Sequence, residues 1–365
     1  MTQLDTPFDR EQAVALIRLG RLADAETLCA AALARNSAAG IPLATLAALR
    51  MVQNRTGEAL TLFRQALSHQ PDHAPAHANH ARLLAGLGHL DAAAGHARRA
   101  SALDPSLPAP YGLLGTLAAQ RGDWAGAVRP LAHALTLDPD DGETAEALGT
   151  ALSRAGDPGV LVSFCRTAVR HHPLSASLWR GLGEGLYDQG EAHTAEAAYR
   201  RALALAPADV RTLNGLANAV QRRHYQAAAL TGYQRAVRLQ PDFALPYTNA
   251  ANVLQLAGHS HDAARLYRHA LALRPAFAEA YCNMATCLAA AGEPGSALTQ
   301  YHRSIRLGFS PAEQSLRGFA LYLDSFSAQS IAQLHREYGA TLSLPPPAPH
   351  ANPRDPTRPL VIGYV

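Results

Sequence analysis

Lysine is absent from this chain: all 32 basic residues are arginine. Set against 29 acidic residues, they leave a formal charge of +3 spread over the whole length. No dense cationic stripe is available for a phosphate backbone, so nucleic acid is not an expected partner. Aromatic residues are also scarce, 6% against 48% hydrophobic residues overall, which makes Ala and Leu the main core material and suits closely packed helices. The four cysteines show neither a disulfide framework nor metal-ligand spacing, and a reducing cytoplasm is the expected compartment. No stretch of 18 apolar residues occurs, and MTQLDTPFDREQAV lacks a basic region followed by an apolar one. Neither membrane insertion nor signal-directed export is therefore expected.

What the chain does contain is a ruler of prolines. Pro71, Pro105, Pro139, Pro173, Pro207, Pro241 and Pro275 are each 34 residues from the next, with no insertion or deletion. Such a spacing means one structural unit copied in tandem. With the proline at position 32 of each unit, position 20 is Ala59, Ala93, Ala127, Leu161, Ala195, Ala229, Ala263 and Ala297. Position 27 is alanine from Ala66 to Ala270, and small residues at both places let two helices approach closely. Position 24 carries Phe63, Ala97, Leu131, Cys165, Tyr199, Tyr233, Tyr267 and Tyr301, predicted as core. Gly88, Gly122, Gly156, Gly190, Gly258 and Gly292 recur at position 15, where a positive-φ turn can end one helix and start its partner.

With an aromatic at position 4 (Tyr111, Trp179, Tyr247, Tyr281) and Gly or Ala at position 8, this pattern resembles the tetratricopeptide repeat, a helix-turn-helix unit. The resemblance implies an all-α fold, a right-handed superhelical solenoid of about nine units over 6–311. Ser37 and Phe309 replace the proline in the first and last units, and atypical ends are expected where a solenoid has no neighbour. Pro158 and Gly159 are expected to weaken the start of one second helix.

Beyond Pro311, two amphipathic stretches predict capping or linker helices over 312–340, with Ser327 as an N-cap. A Pro-rich linker follows over 341–359, and LVIGYV at 360–365 reads as a buried strand. His335, Asn352, Arg354, Asp355 and the run Ile362, Gly363, Tyr364 and Val365 resemble the junction in bacterial relatives of O-linked N-acetylglucosamine transferase and SPINDLY. There, a repeat superhelix leads into a nucleotide-sugar glycosyltransferase. The resemblance implies a cytoplasmic protein that recruits protein or peptide substrates for such a transferase. It supplies no catalytic residue for these 365 positions, so no transfer by the chain alone is expected. No cofactor is expected within it, a UDP-sugar donor being implied only for a full-length relative. The alternative is a free-standing scaffold with no enzymatic link. A homodimer through the convex face is compatible with either.

In the resembled superhelix, positions 2, 5, 6, 9, 12 and 13 of each first helix line a concave groove, and asparagines there clamp peptide backbones. Asn79, Asn249 and Asn283 occupy position 6, and Asn218 and Asn252 position 9, so these are the candidate peptide-binding residues, with Arg211 at position 2 as the candidate cation. An amide both donates and accepts and so can hold a backbone without reading side chains. The ladder is broken at position 6 by Leu113, Ala147, Gly181 and Gly215, which confines the expectation to the C-terminal third. A carboxylate clamp would need further cations, and position 5 offers Asn214 and Thr248. His69, His73, His77 and His80 are read as surface histidines interrupted by Pro71, with no metal site expected. Gly181 to Gly185 spell GLGEG but follow no strand, so a phosphate loop is not expected, and Gly183 is assigned to helix packing. No pattern supports a nucleophile, and no catalytic residue is assigned.

Overall fold

The computed structural model describes residues 8–36, 38–320 and 327–341, and among these the chain is all-α. Contacts divide it into two units. The first, 1–242, contains α1 (Arg10–Arg18), α2 (Leu22–Arg35), α3 (Gly40–Val52), α4 (Thr56–His69), α5 (Ala74–Gly86), α6 (Leu90–Leu103), α7 (Pro108–Gln120), α8 (Trp124–Leu137), α9 (Gly142–Ala155), α10 (Pro158–His171), α11 (Ala176–Asp188), α12 (Ala192–Leu205), α13 (Val210–Arg222) and α14 (Gln226–Leu239). The second, 243–365, contains α15 (Ala244–Leu256), α16 (Ser260–Leu273), α17 (Ala278–Ala290), α18 (Pro294–Arg306), α19 (Pro311–Ala320) and α20 (Ala328–Thr341). The Pro-rich run from 342 and the LVIGYV stretch lie outside the described residues, as does Ser37.

Each repeat is a helical hairpin, and the prolines explain why its second helix stops. A residue before proline is forced toward extended backbone, and Gln70, Asp104, Asp138, Gln240 and Arg274 all sit at φ between −136° and −139°. In the last repeat, where Phe309 replaces proline, α18 ends at Arg306 and Gly308 takes over the stop with φ +84°. The hairpin turn is equally regular. Position 15 adopts positive φ in every repeat, and in all but the one turning at Gly156 the following N–H reaches back to the carbonyl five residues earlier, as in His89 to Leu84 at 2.9 Å. That is the Schellman end of a helix, which satisfies carbonyls the helix cannot.

Two repeats manage the turn without glycine: Asn54 has φ +61° and His224 φ +67°. Both residue types enter this region more readily than most, but each keeps a Cβ penalty that glycine avoids. His224→Gly is expected to stabilise the chain by about 1 kcal/mol, offset in part by the entropy of a looser unfolded chain. The urea midpoint should rise; a fall would show that the imidazole contributes more than the strain costs.

The small and core positions behave as their period requires. The position-20 alanines are fully buried, and Phe63, Leu131, Cys165, Tyr233 and Tyr267 at position 24 are 0% exposed. Pro158 does not weaken its helix: it is the first residue of α10, where a missing N–H costs nothing, and Asp157 caps the turn by accepting from the Val160 N–H at 3.1 Å. All four cysteines are free and buried, and burial pushes the Cys29 and Cys287 thiols up to about 11 and Cys165 to about 12. They are inert packing residues. No helix among the described residues is long and apolar enough to cross a membrane.

Candidate functional site

The polar residues of interest sit on the first helices of the repeats, where Asn249, Asn252, Gln255 and Asn283 at positions 6, 9 and 12 are half-buried and Arg211 at position 2 is exposed. In the second unit, α15 and α17 bring Asn252 and Asn283 together: the Asn283 side-chain N–H donates to Asn252 Oδ1 at 3.2 Å. Both side chains are half-buried, as is Asn249 one turn before Asn252. Spacing of 31 residues is three short of one repeat, so the contact joins position 9 of one first helix to position 6 of the next.

Two of the position-24 tyrosines, Tyr233 and Tyr267, bond to such amides, which core packing alone does not anticipate. The Tyr267 ring is fully buried, yet its hydroxyl reaches Asn252 Oδ1 and lies 3.0 Å from Gln255 Oε1. Within the first unit, the Tyr233 hydroxyl lies 2.6 Å from Asn218 Oδ1 and 2.7 Å from Gln221 Oε1. Tyr301 meets Thr286 Oγ1 at 3.1 Å. Burial pushes the Tyr233 and Tyr267 hydroxyls well above the usual phenol range, so they remain protonated donors. Gln221, Gln255 and the tyrosine hydroxyls are the members of this site that residue type and period did not reveal; recurrence of an amide at position 12 beside tyrosine at position 24 was the available signal.

The other expected residues stand apart. Arg211 is exposed in the first turn of α13, where its backbone N–H donates to Asp209 at 3.2 Å, and Asn79 is half-buried on α5. A position-5 cation does exist, Arg180 on α11, but it is neutralised: it donates to Asp209 Oδ2 at 2.9 Å and lies 3.6 Å from Glu184. Burial alone would raise the Asp209 carboxyl, yet hydrogen bonds from Thr212 and Arg180 hold it below its ordinary value. Glu184 also accepts from Ser153 at 2.8 Å, so this stretch carries closed ion pairs where the second unit carries amides.

The histidine reading requires correction. His77 and His80 are buried, 8% and 4% exposed, and α6 adds His96, whose ring centroid is 4.3 Å from that of His80. His77 bonds the Pro71 carbonyl through Nε2 at 3.0 Å and meets His96 Nδ1 through Nδ1 at 2.8 Å. Because Nε2 must carry the proton to reach a carbonyl, neutral His77 accepts at Nδ1 and His96 donates. Helix periodicity places His77 near His80, but His96 arrives from the other helix of the hairpin. Among the described residues no group of His, Cys, Asp or Glu is arranged to hold a metal ion.

Gly215, at one gap of the broken ladder, has a packing role that it shares with Gly183 of the preceding first helix. A Cβ on Gly183 or on Gly215 would stand 2.7 Å from the Tyr199 ring, which is held between the two backbones.

Two sequence models described as tetratricopeptide repeat match the chain, one over 50–117 and one over 163–210, 182–243 and 248–310, together more than half of its length. No curated protein matches it. Among solved structures, YrrB, described as a TPR protein with an unusual peptide-binding site, is 21% identical, with a TM-score of 0.46 over 50% of this chain and 95% of that one. The Cut9–Hcn1 hetero-tetramer of APC/C is 19% identical, with a TM-score of 0.54 over 78% of this chain and 56% of that one. At such identity the second likeness speaks to the fold.

Proposed function

Because the chain belongs to the tetratricopeptide-repeat family, we propose that it binds protein partners as extended peptides laid across the first helices of its repeats. The observation that carries this reading is the bonded amide pair Asn252 and Asn283, half-exposed on successive first helices with Asn249 beside it. Amides on rigid helices hold a backbone through its N–H and C=O groups and leave side-chain identity open, which suits a scaffold with many clients. Arg211 and Asn79 are secondary contacts in this scheme, and Asn218 belongs to the same amide series in the first unit.

The test begins with a peptide selected from a random 12-residue library against the whole chain. Asn249→Ala, Asn252→Ala and Asn283→Ala together should weaken its binding by about tenfold or more in fluorescence anisotropy, with helical circular dichroism unchanged. Undiminished affinity in a folded triple variant would remove the amides from the site.

The finer reading, that bound clients are presented to a sugar transferase, is supported by the C-terminal residues His335, Asn352, Arg354 and Asp355 and the LVIGYV stretch. On that reading the chain increases transfer to its selected peptide only when a UDP-sugar-dependent catalytic partner is supplied. Sugar transfer by these 365 residues alone, detected by mass spectrometry of the peptide, would contradict it.

A further inference from the structure

We propose that Tyr267 is a positioning residue that locks the Asn252 and Asn283 amides into opposite orientations, so that the pair selects an internal segment of extended peptide over a chain-terminal carboxylate. The inference rests on the peptide-binding reading above and adds the chemistry of the ligand.

Asn252 Oδ1 receives both the Tyr267 hydroxyl and the Asn283 N–H, so that oxygen is consumed inside the protein. An amide's oxygen and nitrogen lie at opposite ends of the group. The Asn252 nitrogen is therefore the end left for a ligand, and Asn283, which gives one of its two N–H groups to Asn252, offers its oxygen. A tyrosine hydroxyl has one proton, and Gln255 Oε1 competes for it at 3.0 Å. Should the proton turn to Gln255, the Asn252 amide rotates to donate to the hydroxyl oxygen, and Asn283 must rotate with it to avoid two facing donors. The pair then shows acceptor and donor in exchanged order. In both arrangements one amide presents a donor and its neighbour an acceptor, because the buried hydroxyl couples them.

That pattern has one natural complement. A residue in an extended chain points its own N–H and C=O to the same side, as in the bonded pairs of an antiparallel ladder. A terminal carboxylate carries acceptors alone and would meet the exposed oxygen of the pair with like polarity.

Tyr267→Phe keeps the buried ring and deletes only the coupling hydroxyl. Without ligand, the side-chain amide resonances of Asn252 and Asn283 should move in that variant, and should not in Tyr301→Phe, whose hydroxyl meets Thr286. With the library-selected peptide, amidated at its C-terminus, replacing single backbone amides by esters should reveal one position costing about tenfold in affinity to the parent chain. Tyr267→Phe should flatten that ester profile, and the parent should bind the free-acid peptide no better than the amidated one when the sequence is truncated to end at the sensitive residue. Unmoved resonances in Tyr267→Phe, or an ester profile identical to the parent's, would overturn the positioning role. Expected resonance changes with no peptide bound by the parent chain would instead sink the peptide-binding reading and the ligand preference built on it.

Discussion

Lowering the pH from 7.5 to 4.5 should destabilise the packing of α4, α5 and α6 by about 3 kcal/mol, with most of the loss below pH 6.5. The cause is His80. Its ring stacks on Phe63 and lies against His96, and both of its nitrogens are buried without a partner. Burial, then the neighbouring His96, Arg64 and His77, push its pKa down to about 4. An imidazole in the unfolded chain titrates near ~6.5. Above that pH neither state takes up a proton, and the packing is at full strength. Below it the unfolded chain gains a proton that the folded chain refuses, so stability falls until the pH reaches the folded value. Burial lowers His96 and His73 as well, which adds to the loss in the same direction.

Carboxylates complicate the wild-type slope without hiding this effect. Glu26 is lowered chiefly by its hydrogen bond from Arg50, and Asp209 is held low by Thr212 and Arg180, so their losses come at still lower pH. Burial raises Asp188 against the opposing Arg222, and that group works the other way on acidification. His80→Leu isolates the contribution, because Leu46, Leu114, Leu148, Leu182 and Leu216 fill the same repeat position elsewhere. Urea midpoints of this variant should match or exceed the parent's at pH 7.5 and fall less steeply than the parent's down to pH 5. A slope equal to the parent's would show that His80 is not responsible.

Gly215→Asn, the substitution that would seem to restore the asparagine ladder, should cost about 2 kcal/mol and add nothing to peptide affinity. The new Cβ would lie 2.7 Å from the Tyr199 ring and 2.9 Å from its hydroxyl, far inside van der Waals contact. The first helix of the Tyr199 repeat carries Glu184 and Tyr187 where Tyr233 and Tyr267 find amides. The Tyr199 ring cannot retreat, since Gly183 closes the other side at the same distance. In a Tyr199→Leu background the Gly215→Asn penalty should largely disappear, and the double-mutant cycle measures the difference. An equal penalty in both backgrounds would place the strain elsewhere.

The hairpins, their turns and their small packing positions are readable from residue type and period, because each of these depends on neighbours close in sequence. Proline restricts the residue before it, glycine or asparagine admits a left-handed turn, and alanine allows two helices to touch, whatever lies far away. Asn252 and Asn283 could likewise be singled out, since amides on one helical face recur at a visible spacing.

What they bond to could not. His96 comes to His77 and His80 from the opposite helix of the hairpin, Tyr199 wedges between glycines 32 residues apart, and Tyr267 sends a hydroxyl from a core position to a surface amide. Period assigns the tyrosines to the core and is correct for their rings, but the direction of one terminal oxygen depends on side-chain rotamers and on which partners the facing helix supplies. Local chemistry and repetition thus settle the architecture. The polarity of the exposed amides is decided by packing, because a buried hydroxyl with a single proton must be satisfied by whatever neighbouring repeats place within 3 Å of it.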